Sequence, residues 1–148
     1  MVITHLDPTA DEYWDELVGH FPDSTFFHSS QWARVISNSY GYTPHYFVVQ
    51  DSGGACIAAF PFFLVSGLLS ARRLVCLPFT DFCGPLILHD ADFPEVCRLL
   101  DAELRRMHLA YVEFRGPLPD EMVRHLRIET RLEYASFVLD LSADLNEI

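Results

Sequence analysis

Hydrophobic residues change their spacing along this chain in a way that marks out strands and helices in turn. Residues 55–65 contain no polar side chain, and an apolar run without alternation predicts a strand buried on both faces. Residues 45–50 read as its partner, and Asp51-Ser52-Gly53-Gly54 supplies hairpin turn chemistry, so the pair is expected to be antiparallel. Pro61 lies inside the apolar run and lacks an N–H, which marks a bulge or an unpaired side of that strand. Residues 73–77 follow as a fourth strand. Two prolines and a glycine interrupt it over residues 78–85, and residues 86–88 are expected as a short continuation.

Helical spacing brackets this sheet. Trp14, Leu17, Val18 and Phe21 recur on one helix face, with Asp7, Pro8 and Thr9 as start signals and Pro22 and Asp23 as the stop. A second helix is expected from Ser29 or Ser30, with Trp32, Val35, Ile36 and Tyr40 as its apolar stripe and Gly41 as its end. Asp92 is expected to cap a third helix. Its inward stripe is Val96, Leu99, Leu100, Leu104 and Met107, while Arg98, Asp101, Arg105 and Arg106 face water. Residues 111–114 form a fifth strand, residues 120–126 a short helix, and residues 127–131 and 134–141 two final strands.

The resulting order is β-α-α-β-β-β-α-β-α-β-β, with a short first strand at residues 2–5. Hairpins and right-handed crossovers together predict an α/β fold with a mixed sheet and helices on both faces. Residues 1–141 are expected to form one domain. Ser142, Asp144 and Glu147 read as the first turn of a helix leading to a missing second domain, and residues 142–148 are assigned to it.

Charge narrows the function. The formal net charge is −11, carried by a chain with ten Arg and no Lys. Nucleic-acid affinity rests on cations displacing counterions, so direct nucleic-acid binding by this domain is not expected. The N-terminus lacks a cationic stretch followed by an apolar run, and the longest uncharged stretch falls short of the ~18 apolar residues of a membrane span. The cytoplasm is the expected location. Cys56, Cys76, Cys83 and Cys97 form no CxxC pair and read as reduced, buried thiols.

The element order resembles that of the GNAT-like acyl-CoA N-acyltransferases, and the local sequence is similar to the first domain of FemAB-like proteins. These are two-domain peptidoglycan-bridge aminoacyltransferases and related N-acyltransferases, including relatives associated with exosortase systems. The residues that carry the likeness are Phe26-Phe27-His28 with Trp32, the run Gly41-Tyr42-Thr43-Pro44-His45-Tyr46, Leu77-Pro78-Phe79 followed by Cys83-Gly84-Pro85-Leu86, and Tyr111-Val112-Glu113-Phe114-Arg115. The resemblance implies transfer of an acyl or aminoacyl group to an amine, in a cell-envelope or exopolysaccharide setting. The partners it implies are a second GNAT-like domain and a small-molecule or peptide amine acceptor. The competing reading is a non-enzymatic binding or assembly module that kept the fold.

Two departures bear on the cofactor. Acyl-CoA-binding members usually carry a Gln/Arg-x-x-Gly-x-Gly/Ala turn after the fourth strand, where backbone N–H groups and a helix N-terminus hold the pyrophosphate. Here that connection has one glycine together with Asp81, Asp90 and Asp92, so no cofactor is expected in this domain. Acyl-CoA or aminoacyl-tRNA remain donors for a full-length enzyme. Cys83 also stands where the bridge-forming branch often has Arg before Gly-Pro.

The cleft is expected where the prolines force the fourth strand out of its ladder, since splayed strand ends make crevices in open α/β sheets. Phe79, Thr80, Asp81, Phe82 and Cys83 are expected to line it, with Arg115 approaching from the fifth strand. The two phenylalanines serve equally well as core plugs, and Arg115 equally well as an ion-pair partner of Glu113. A nucleophilic Cys83 requires an oriented histidine that the sequence does not identify. His28 and His45 are read mainly as hydrogen-bonded structural groups. No recurring metal spacing is present. A missing partner domain would leave apolar surface uncovered, so self-association is expected.

Overall fold

The computed structural model describes residues 1–67, 70–80 and 83–129. The two last expected strands and the unfinished helix lie outside these residues, as do Asp81 and Phe82. In chain order the elements are β1 (Val2–Leu6), α1 (Trp14–Gly19), a 3-10 turn (Phe26–His28), α2 (Ser30–Tyr40), β2 (Thr43–Gln50), β3 (Cys56–Gly67), β4 (Ser70–Cys76), β5 (Leu86–Ile87), α3 (Phe93–Arg106), β6 (Tyr111–Glu113) and α4 (Asp120–Leu126). Among the described residues the sheet runs β1-β2-β3-β4-β6, with β5 paired to β3. All pairs are antiparallel except β4 with β6.

β3 organises the sheet. Its residues from Ile57 to Phe63 are all buried, and successive side chains point to opposite faces, so both faces are covered. Phe63 meets Tyr46, which meets Trp14 of α1 on one face, whereas Phe62 meets Phe47 and Phe114 on the other. Asp51 closes the β2–β3 hairpin, its carboxylate accepting the Gly53 and Ala55 N–H groups at 2.8 and 2.9 Å.

β4 and β5 are one interrupted lane beside β3. Cys76 pairs with Phe62, Leu77 donates its N–H to the Pro61 carbonyl at 3.1 Å, and the lane resumes with Leu86 opposite Ala59. Residues 78–80 and 83–85 lie off the sheet between them. Pro61 has no N–H to return to Leu77, so the ladder loses a bond at the point of departure. The Leu77 carbonyl instead accepts the buried Thr80 hydroxyl at 2.7 Å. Leu77 and Phe79 both adopt left-handed backbone conformations, φ 39° and 66°. Such conformations cost roughly 1–2 kcal/mol each for residues with a Cβ.

Two local expectations are corrected. Asp7 starts a turn rather than α1: its carboxylate accepts from the Thr9 N–H and hydroxyl, and the helix begins only at Trp14. α2 buries Ser30, Ala33 and Ile36, while Val35 and Tyr40 of the expected stripe are 45% and 53% exposed. By contrast, the short β5 continues the lane of β4 beside β3, as expected. Ser29 caps α2, Gly41 ends it at φ 68°, and Asp92 caps α3.

Candidate functional site

The excursion brings residues 83–85 against the loop that precedes α2. His28 is 2% exposed, and both its ring nitrogens are bonded. Nε2 lies 3.0 Å from the Gly84 carbonyl oxygen, which only accepts, so Nε2 carries the proton. Nδ1 is therefore a bare acceptor. It receives the Thr25 N–H at 3.1 Å and the Thr25 hydroxyl at 3.0 Å. The Cys83 thiol lies 3.4 Å from that hydroxyl oxygen. With the Thr25 proton directed at His28, the thiol is the donor in this last contact. Burial lowers the His28 pKa, against the raising effects of the Gly84 and Thr25 backbone contacts and of Asp23.

These groups border a cavity of about 640 Å³, within the size range of small-ligand sites. Its walls are largely proline, leucine, isoleucine and phenylalanine, with segments 85–87 and 117–119 prominent. Among the described residues Asp23 is its one carboxylate, His28 and His89 are its histidines, and no arginine lines it. A cationic ligand with an apolar body matches these walls better than an anionic one.

The expected cleft is divided by this geometry. Cys83 lines the cavity, but Phe79 turns the other way, 49% exposed and stacked on Tyr40 with ring centres 4.2 Å apart. Thr80 is used by the Leu77 carbonyl. The Arg115 guanidinium bonds Glu113 at 2.7 Å, and Arg115 reaches the excursion through its backbone carbonyl, near Gly84. Thr25 was not singled out from the sequence, and Asp23 was read only as a helix stop. Phe26-Phe27-His28 and Cys83-Gly84-Pro85-Leu86 were both noted, but nothing local ties one run to the other more than fifty positions away.

The other cysteines are in different surroundings. Burial pushes the Cys56 and Cys97 thiols up to about 11 and raises the fully buried Cys76 further. Among the described residues no group of three or more His, Cys, Asp or Glu is placed to hold a metal ion.

The N-terminus of α3 offers little to a pyrophosphate. Pro94 has no N–H, and the Glu95 N–H is bonded to the Asp92 carboxylate at 3.2 Å. A phosphate approaching it meets the negative Asp92 first.

No protein-family model matches the sequence, and no curated protein matches it. Solved structures do. A ribosomal-protein-alanine N-acetyltransferase from Brucella melitensis biovar Abortus superposes with a TM-score of 0.54 at 12% identity, covering 95% of this chain and 100% of that one. An aminoglycoside antibiotic 6'-N-acetyltransferase from Acinetobacter haemolyticus gives 0.52 at 13% identity, covering 96% and 100%. A similar aminoglycoside acetyltransferase from Acinetobacter baumannii gives 0.52 at 11%, covering 95% and 99%. The chain therefore has the GNAT N-acetyltransferase fold, a mixed α/β architecture around a mostly antiparallel sheet. Among the described residues no helix is long and apolar enough to cross a membrane.

Proposed function

We propose that this chain is the acceptor-binding and scaffold domain of a FemAB-like N-acyltransferase or aminoacyltransferase, which moves an acyl group onto an amine. The observation that carries the reading is the cavity of about 640 Å³, apolar apart from a few polar groups and holding, among the described residues, one carboxylate, Asp23. An ammonium group seats against that carboxylate while the body of the acceptor contacts proline, leucine and phenylalanine. The occupied N-terminus of α3 supports an acyl donor held outside this domain. Phe26, Val35, Tyr40 and Phe79, each between 45% and 58% exposed, leave apolar surface that suits a docked second domain.

The test is binding of small primary amines, followed by amide shifts around Asp23 and His89, in the wild type and in Asp23→Asn. Amines are expected to bind the wild type, with affinity lowered about tenfold in the variant, close to the worth of one charge-assisted contact. The thermal midpoint should stay within a few degrees. An amine affinity that ignores Asp23→Asn removes the acceptor reading. Binding of amines by a chain that supports no transfer, with or without a second domain, favours the assembly module.

A further inference from the structure

We propose that Cys83, Thr25 and His28 form a nucleophilic relay on the wall of the cavity, in which Cys83 takes an acyl group from a thioester and holds it covalently. The inference rests on the acyl-transfer reading and goes beyond acceptor binding, because it gives this domain a chemical step.

Three observations carry it. The thiol is on the cavity wall, beside space for an acyl chain and its carrier. It lies 3.4 Å from the Thr25 hydroxyl oxygen, which lies 3.0 Å from Nδ1 of His28, so two hydrogen-bond steps join sulfur to a base. The tautomer that makes Nδ1 available is held by the Gly84 carbonyl, the residue next to the nucleophile. A nucleophile, a base and a group that orients the base are the parts that covalent catalysis requires.

In the first step the Cys83 sulfur attacks the thioester carbonyl carbon. Its proton passes to the Thr25 oxygen as the Thr25 proton passes to Nδ1. The new S–C bond replaces the donor's C–S bond, and the donor thiolate departs with the proton returned from His28 through Thr25. In the second step an amine nitrogen attacks the same carbon. The N–C bond forms, the bond to Cys83 breaks, and the proton released by the amine restores the thiol. No electrons are exchanged with an outside group. A thioester donor without a pyrophosphate also agrees with the occupied N-terminus of α3.

The experiment uses S-acetyl-N-acetylcysteamine as the thioester, with intact-mass and peptide-mapping readouts on the full chain. The expected result is one acetyl group on Cys83 and none on Cys56, Cys76 or Cys97. Thr25→Val keeps the backbone N–H but removes the relay hydroxyl, and should slow acetylation about a hundredfold, a typical worth of general-base assistance. Thr25→Ser should restore the rate. Acetylation of Cys83 with no amine present separates this step from acceptor binding. Acetylation spread over several cysteines, an unmodified Cys83, or a Thr25→Val protein as fast as wild type overturns the proposal. Selectivity among the four thiols of the wild type decides the matter even if Thr25→Val does not fold.

Discussion

Gly84 lies so close to Pro117 that a Cβ on it would stand 2.7 Å from the Pro117 carbonyl oxygen and 3.5 Å from that of Arg115. The contact is backbone to backbone, so neither side has a rotamer with which to yield. It seats the returning end of the excursion against the chain that leaves β6, and thereby fixes the Gly84 carbonyl beneath His28.

Gly84→Ala is therefore expected to destabilise the domain by about 1–3 kcal/mol, the usual cost of overpacking. Urea unfolding measures it. Gly19→Ala, where an added Cβ meets nothing within 4 Å, should leave the midpoint unchanged or slightly higher. Equal midpoints for the two variants would mean that the excursion does not press against residues 115–117.

Thr80→Val should cost about 1–3 kcal/mol, because it strands the Leu77 carbonyl that Pro61 is unable to serve. Thr80→Ser should recover most of the loss. Unfolding midpoints of the two variants test this, and similar values for both would show that water serves the carbonyl instead.

Stability should fall with acid. Burial, followed by the charges of His5 and Arg72, lowers His45 from 6.5 to about 4, and burial also lowers His28 from 6.5. Both groups regain their ordinary values on unfolding, so below pH 6.5, and for His45 down to about 4, the unfolded chain binds more protons than the folded one. Their contribution is complete above pH 6.5 and is lost progressively as the pH falls through 6.5 toward about 4. Thermal midpoints measured from about pH 7 to about pH 4 should decline, and His45→Gln should flatten the lower part of the slope. A wild-type midpoint that is constant through that window would contradict these shifts.

Acetyl-CoA should not bind this domain. Isothermal calorimetry is expected to show no association tighter than ~10 μM, about −7 kcal/mol. The reason is the pairing of Asp92 with Glu95 and the missing N–H of Pro94 at the start of α3. Tighter binding would reveal a phosphate site elsewhere on the chain.

Short-range chemistry determined the parts that the sequence by itself shows. The Asp51 hairpin, the Ser29 and Asp92 caps and the stop at Gly41 depend on residues within four positions of one another, and the unbroken apolar run of β3 announces its own burial. Pro61 likewise signalled a defect in the ladder, and the prolines at 78 and 85 signalled the interruption of its neighbouring lane. Tertiary packing decided the rest. Periodicity assigns a side to α2 but not the width of its buried stripe, so only the placement of the helix on the sheet separates Ile36, fully buried, from Val35 and Tyr40, exposed. The relay is the clearest case: Thr25 meets Cys83 across 58 positions and His28 meets Gly84 across 56. A contact at that separation exists only once the sheet has closed and the excursion has been pressed back onto it, and no local pattern in either segment encodes the other.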